Sequence, residues 1–163
     1  MFKLSKVEIL RGMRTAGFAA IALLLALSST AFAASDDVFV EDAWSRASIG
    51  TNRPGVAYMT IRNAGETPVT LIGLTSSIAM RAEVHRTATN EQGVSSMEPA
   101  GDLTIAPGTI LTLAPGGLHA MLMNLQAPIN KGDRFKLTLK FAEGGEVTVE
   151  VVARGIAARG PRD

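Results

Sequence analysis

The sequence predicts an all-β fold, a two-layered β-sandwich with Greek-key-like connections. Three features carry that expectation. From Val38 onward the apolar residues come in short or alternating runs, and Gly, Pro and Asn punctuate the gaps between them. All seven prolines fall in this part of the chain. No stretch keeps the 3.6-residue apolar period that marks an amphipathic helix. Many short strands separated by turn signals favour a sandwich over an α/β fold, with a closed barrel as its competitor.

Ahead of that region, Lys3, Lys6, Arg11 and Arg14 precede an apolar run over residues 19–27, followed by Ser28-Ser29-Thr30-Ala31-Phe32-Ala33. A basic start, a short apolar core and small residues at Ala31 and Ala33 form a secretory signal peptide, cleaved to leave a chain starting at Ala34 or Ser35. The two arginines are not adjacent, which indicates general secretion rather than twin-arginine export. A retained membrane anchor is the alternative, because residues 16–34 nearly reach the length of a bilayer span. The expected organisation is a signal peptide over residues 1–33, one β-sandwich domain over 34–153, and a disordered tail over 154–163.

Within the domain, residues 38–44 and 54–63 read as the first two strands, the second closed by the turn Asn63-Ala64-Gly65. Residues 69–74 form a third, and residues 80–87 a fourth that carries His85. After the loop Asn90-Glu91-Gln92-Gly93 a short run reaches Met97. Residues 103–105 and 109–113 flank Pro107-Gly108, and Pro115-Gly116-Gly117 makes a tight turn into a strand over 118–125. Phe135, Leu137, Leu139 and Phe141 alternate with polar residues, as does the run from Val147 to Val151 across Gly144-Gly145. Those two runs form a hairpin with one solvated face.

The whole chain has 16 basic and 15 acidic residues. Four of the bases and one acid, Glu8, lie in residues 1–33, so the remainder has 12 bases and 14 acids, a net charge of −2. Such a domain has no basic face for nucleic acid. It also contains no cysteine, which excludes thiol redox chemistry and cysteine-based zinc sites and leaves packing to hold the core.

The stretch from His85 to Met123 concentrates the chemistry, with both histidines and three of the seven methionines. His119 and Met121 are two apart and therefore share a face of their strand. Met123 lies one step further and reads as core packing or a reserve ligand. The turn before His119 places it near one end of the sandwich, where loops gather, and His85 can reach the same end. Imidazoles with thioethers make a soft donor set suited to copper, above all Cu(I). Taken singly, each methionine reads as core and each histidine as structural; together they make a metal site and a purely structural role comparable readings.

These residues resemble the periplasmic copper chaperones written PCu(A)C. That family's signature is a His, commonly followed by Met, then ten residues, a Met, twenty-one residues and His-x-Met. Here His85 is followed by Arg86, ten residues (87–96), Met97, twenty-one residues (98–118) and His119-Ala120-Met121. The resemblance extends to Asp42-Ala43-Trp44-Ser45-Arg46-Ala47, to residues 57–63, to the turn before His119 and to the closing hairpin.

It implies a cupredoxin-like β-sandwich, monomeric and periplasmic, that binds Cu(I) as cargo through His85, Met97, His119 and Met121, with Cu(II) less favoured. It also implies a copper-accepting partner, either the Cu(A) centre of cytochrome c oxidase or a Sco-type thiol protein. Two departures stand out. Arg86 replaces an optional methionine beside His85, and residues 154–163 lack the His and Met of many relatives' tails.

Two other classes compete with this reading. One is an exported β-sandwich adhesion or subunit-interaction module without metal. The other is an enzyme, for which Glu83 and Glu98 supply no recognisable catalytic arrangement.

Overall fold

The computed structural model describes residues 37–142 and 144–163. The expected signal peptide and its cleavage point lie outside the described residues. Ten strands follow in order: β1 (Val38–Arg46), β2 (Gly55–Asn63), β3 (Val69–Ser76), β4 (Ala79–Thr89), β5 (Ser95–Pro99), β6 (Leu103–Ile105), β7 (Ile110–Leu113), β8 (Leu118–Leu125), β9 (Arg134–Phe141) and β10 (Glu146–Arg154). Among the described residues there is no helix. Every expected strand is present, and the brief run to Met97 is a full strand, which brings the total to ten.

The strands hydrogen-bond in the order β5-β4-β8-β2-β1-β10-β9-β3-β6, and β7 continues along β2. A further pairing of β3 with β4, Leu74 opposite Ala82, joins the two layers of the sandwich into a closed circuit. Closure leaves only the short strands β5 and β6 as ends of the order, which limits the edge open to pairing with other chains. β1 runs parallel to β10, whereas the other pairings are antiparallel. Gly144, at φ 91°, turns the expected β9–β10 hairpin.

The core lies between the layers, where Met59, Ile61, Leu122, Leu137, Leu139 and Val151 are fully buried. Alternation explains the selection: Leu137 and Leu139 face in while Lys136, Lys140 and Glu146 stay in water. One polar side chain joins this core. Asn63, at 0% exposure, donates from Nδ2 to the carbonyls of Thr67 (2.8 Å) and Ile105 (3.0 Å) and accepts from the Gly65 amide (3.0 Å). It thereby locks the β2–β3 turn onto β6.

Two irregularities set which residues face outward. In β1 the register against β2 shifts between Glu41 and Trp44, with Asp42 at φ 52°, a left-handed conformation that a short polar side chain tolerates. One extra residue reverses the alternation beyond it. Val38 and Val40 therefore face the core, whereas Trp44 turns to the outer face and stacks on Tyr58, with ring centroids 4.6 Å apart.

The second irregularity lies between β7 and β8. Leu113 pairs with Met59 and Ala120 with Ala57, so residues 114–119 stand against Tyr58 alone. The excess chain loops out through a turn closed by the Gly117 amide on the Ala114 carbonyl, with Gly116 at φ 83°. That positive φ explains the glycine. Leu118 and His119 leave β2 and pair with β4 instead.

The segment 154–163, expected as a disordered tail, begins with the last residue of β10 and has a docking point beyond it. Ala158 is buried against Trp44 and Tyr58, and its carbonyl accepts from Arg46 Nε at 2.8 Å. Composition hides this because the contact needs only one small apolar side chain and a backbone oxygen. The arrangement leaves Tyr58 largely shielded, and burial pushes its pKa above 10.0, with the nearby Arg46 guanidinium opposing the shift.

Two measurements follow from this packing. Asn63→Asp keeps the shape but sets a carboxylate against two carbonyls, and we expect a loss of about 3 kcal/mol in urea unfolding. Tyr58 is the single tyrosine, so phenolate absorbance reports it alone. Its midpoint in the folded protein is expected above that in urea. The raised folded pKa means that this group's contribution to stability is intact below about pH 10 and declines as pH rises through the folded value.

Candidate metal centre

Strand register brings the predicted residues to one face. β4 is flanked by β5 and β8, and His85 pairs directly with His119 on β8 and with Pro99 on β5. Met97 lies opposite Thr87, two residues beyond His85 along β4, and Met121 lies opposite Glu83, two residues before it. Directly opposed residues point to the same side of an antiparallel sheet. His85, His119, Met97 and Met121 therefore share a face, with the methionines on opposite diagonals of the histidine pair. The intervening residues Ala82, Val84, Ala120 and Leu122 point the other way and are buried in the core.

This placement refines the sequence expectation. His119 does sit at the start of β8, beside the turn, but the four side chains stand on the outer face of the sheet rather than across one end of the sandwich. Met123 is not core. It is half-buried on the same outer face, where Arg81 Nη2 approaches its sulfur at 3.6 Å. Arg86 falls on the opposite face of β4 from His85, so its charge is directed away from the pair.

Both imidazoles are buried, His85 at 8% and His119 at 3% exposure, and their ring centroids are 6.3 Å apart. Their hydrogen bonds determine which nitrogen is free. His119 Nδ1 lies 3.0 Å from the Gly117 carbonyl, which can only accept, so Nδ1 carries the proton and Nε2 keeps its lone pair. His85 Nε2 lies 3.4 Å from Glu83 Oε2 and donates to that carboxylate, leaving the His85 Nδ1 lone pair bare. Both bare nitrogens, His85 Nδ1 and His119 Nε2, are buried without a hydrogen-bond partner.

An unpartnered buried polar atom costs roughly 1–3 kcal/mol, and a bound metal ion is one way to satisfy two such nitrogens. Imidazole nitrogen binds a transition metal at about 2 Å, so two rings flanking one ion have centroids about 6 Å apart, close to the spacing seen here. Among the described residues, no three His, Cys, Asp or Glu groups are placed to hold a metal. Further donors would have to be of another kind, and the thioethers of Met97 and Met121 lie on the same face. Met97 is 55% exposed on β5, whereas Met121 is half-buried.

Spacing alone did not reveal Glu83 and Arg81 as part of this site. Arg81 Nε reaches Glu83 Oε1 at 2.9 Å, and Glu83 in turn reaches His85. The signal available was period two: residues 81, 83 and 85 alternate onto one face of a strand.

Comparison with known proteins places the fold in context. Residues 38–153 match the family described as "Putative lipoprotein LpqE-like". A relative from Leifsonia xyli subsp. xyli, named "Putative lipoprotein Lxx21020", is 35% identical over 117 residues, 72% of this chain and 69% of the relative. Among solved structures, Cu(I)-bound DR1885 from Deinococcus radiodurans is 30% identical with a TM-score of 0.56, covering 78% of this chain and 83% of that one. The apo PCuAC domain from PmoF1 is 26% identical with a TM-score of 0.60, over 73% of this chain and 94% of that domain. The sandwich described above is the cupredoxin-like fold of these domains.

Proposed function

The chain belongs to the LpqE-like family, of PCu(A)C type, and from that premise we propose that it is an exported, non-enzymatic copper chaperone. It takes Cu(I) as cargo through His85, Met97, His119 and Met121. One observation carries this reading: two buried imidazole nitrogens stand bare on one sheet face, with a methionine at each diagonal. That the similar DR1885 structure is a Cu(I) form supports the choice of metal.

The donor chemistry selects the ion. Two neutral imidazoles and two neutral thioethers leave the ion its full charge, which suits monovalent copper better than Cu(II) or zinc, and soft sulfur donors strengthen the preference. Thioethers also need no reducing system. In an oxidising compartment such as the periplasm, paired cysteines would be lost to disulfides, whereas methionine keeps its lone pairs until it is oxidised to sulfoxide.

Transfer follows from the unequal exposure of the two sulfurs. Met97 stands on a strand whose residues are all exposed, so an incoming donor atom can replace its sulfur first. The two imidazoles, held by Gly117 and Glu83, keep the ion until the acceptor has supplied further ligands. Copper thus moves by stepwise exchange without entering water. The acceptor chemistry is that of a copper-binding protein with soft ligands, such as the Cu(A) centre of cytochrome c oxidase or a Sco-type thiol protein.

Anaerobic titration against a competing Cu(I) chelator tests the assignment. One equivalent of Cu(I) is expected per chain. Met97→Ala combined with Met121→Ala is expected to weaken binding by more than the roughly 10- to 100-fold typical of losing an outer-shell partner. Unchanged affinity in that double variant would remove the thioethers from the site.

A further inference from the structure

We propose that Glu83, held in place by Arg81, is a positioning residue that fixes the His85 ring so that Nδ1 faces the metal. The inference deepens the copper reading and rests on it for its functional meaning, although its structural content stands in the metal-free protein.

Arg81, Glu83 and His85 occupy alternate positions of β4, so all three project from the outer face. Arg81 Nε meets Glu83 Oε1 at 2.9 Å, and its Nη2 lies 3.4 Å from Oε2. Glu83 Oε2 is also the atom 3.4 Å from His85 Nε2. The carboxylate is therefore gripped by a planar guanidinium fork, and its Oε2 also accepts a hydrogen bond from the imidazole Nε2–H. Arginine suits the first role because its donors are rigidly spaced.

With Nε2 held by the carboxylate, a flip about Cβ–Cγ would break that hydrogen bond, and the nitrogen left to bind is Nδ1, the one buried without a partner. His119 is anchored differently, through Nδ1 to the Gly117 carbonyl. The two imidazoles thus offer opposite nitrogens, His85 by way of a side chain and His119 by way of the backbone. Only the His85 anchor can be removed by a single substitution without disturbing the β7–β8 turn.

A second consequence is electrostatic. The four donors are neutral, and Glu83 stands opposite Met121 on the neighbouring strand. Its carboxylate is the acidic group nearest the uncharged donors, and the Arg81 guanidinium paired with it balances its charge, so the surroundings of the donor set stay close to neutral. Hydrogen bonding to a carboxylate also makes the imidazole a stronger donor to the metal.

Imidazole nitrogen NMR on the metal-free protein, at a pH well above the ordinary imidazole range, separates positioning from general stability. In the wild type the His85 Nε2 proton is expected as a protected, slowly exchanging signal. In Glu83→Ala that signal is expected to disappear while the His119 Nδ1 signal persists as an internal control. Glu83→Gln, whose amide oxygen still accepts, is expected to retain it, and Arg81→Ala to weaken it. Cu(I) affinity should fall roughly 10- to 100-fold in Glu83→Ala and less in Glu83→Gln.

A His85 signal unchanged in Glu83→Ala overturns the proposal, as does an affinity loss without any change at that ring. If Glu83→Ala does not fold, losing the His119 signal too, Glu83→Gln and Arg81→Ala carry the decision. Absence of Cu(I) binding in the wild type would refute the copper reading instead, and the ring spectra would still decide the role of Glu83.

Discussion

Between Leu113 and Ala120 the chain leaves β2, crosses a glycine turn and pairs with β4 through Leu118 and His119 before rejoining β2 at Ala120. The rest of the outer face depends on this excursion. Had β7 run into β8 without it, the residue opposite Tyr58 would have stayed in the β2 ladder. Instead, Leu118 and His119 are drawn into register with β4, and His119 falls directly across from His85. The same turn supplies the Gly117 carbonyl that anchors His119 Nδ1, so one local feature places the ring and selects its free nitrogen.

The core makes that device tolerable. Ala82, Val84, Ala120 and Leu122 occupy the alternate positions of the same two strands and bury their side chains between the layers. A slip of one residue in the β4–β8 pairing would bring polar rings inward and apolar groups into water, so packing on one face enforces register on the other. The joined layers and the Asn63 network hold the scaffold stiff around it. Against that rigid background the β5 strand with Met97 is the exposed, replaceable element.

The outer face also shows how cost and use are balanced. Two bare imidazole nitrogens buried on directly paired residues oppose folding, and a protein selected only for stability would replace them with apolar residues. Each nitrogen belongs to a ring with a defined anchor, a backbone carbonyl for His119 and an arginine-held carboxylate for His85. On the same sheet, Trp44 and Tyr58 form a small second core with Ala158 packed against them.

Much of this was legible in the residues themselves. Alternation and turn chemistry identified the strands, because a half-buried strand must repeat every two residues and a tight turn must place glycine or proline where the backbone requires it. The spacing of His85, Met97, His119 and Met121 marked the same four residues that register brings to one face. What sequence could not reveal was which face that would be. The bulge at Asp42 and the loop at 114–119 each change alternation or partner at a single point, and local pattern cannot show which neighbour a displaced strand will find. Those long-range pairings placed Met123 outside the core, turned Arg86 away from His85 and docked Ala158. They also set Glu83 and Arg81 beside the His85 ring, because hydrogen-bond geometry exists only once the strands have paired.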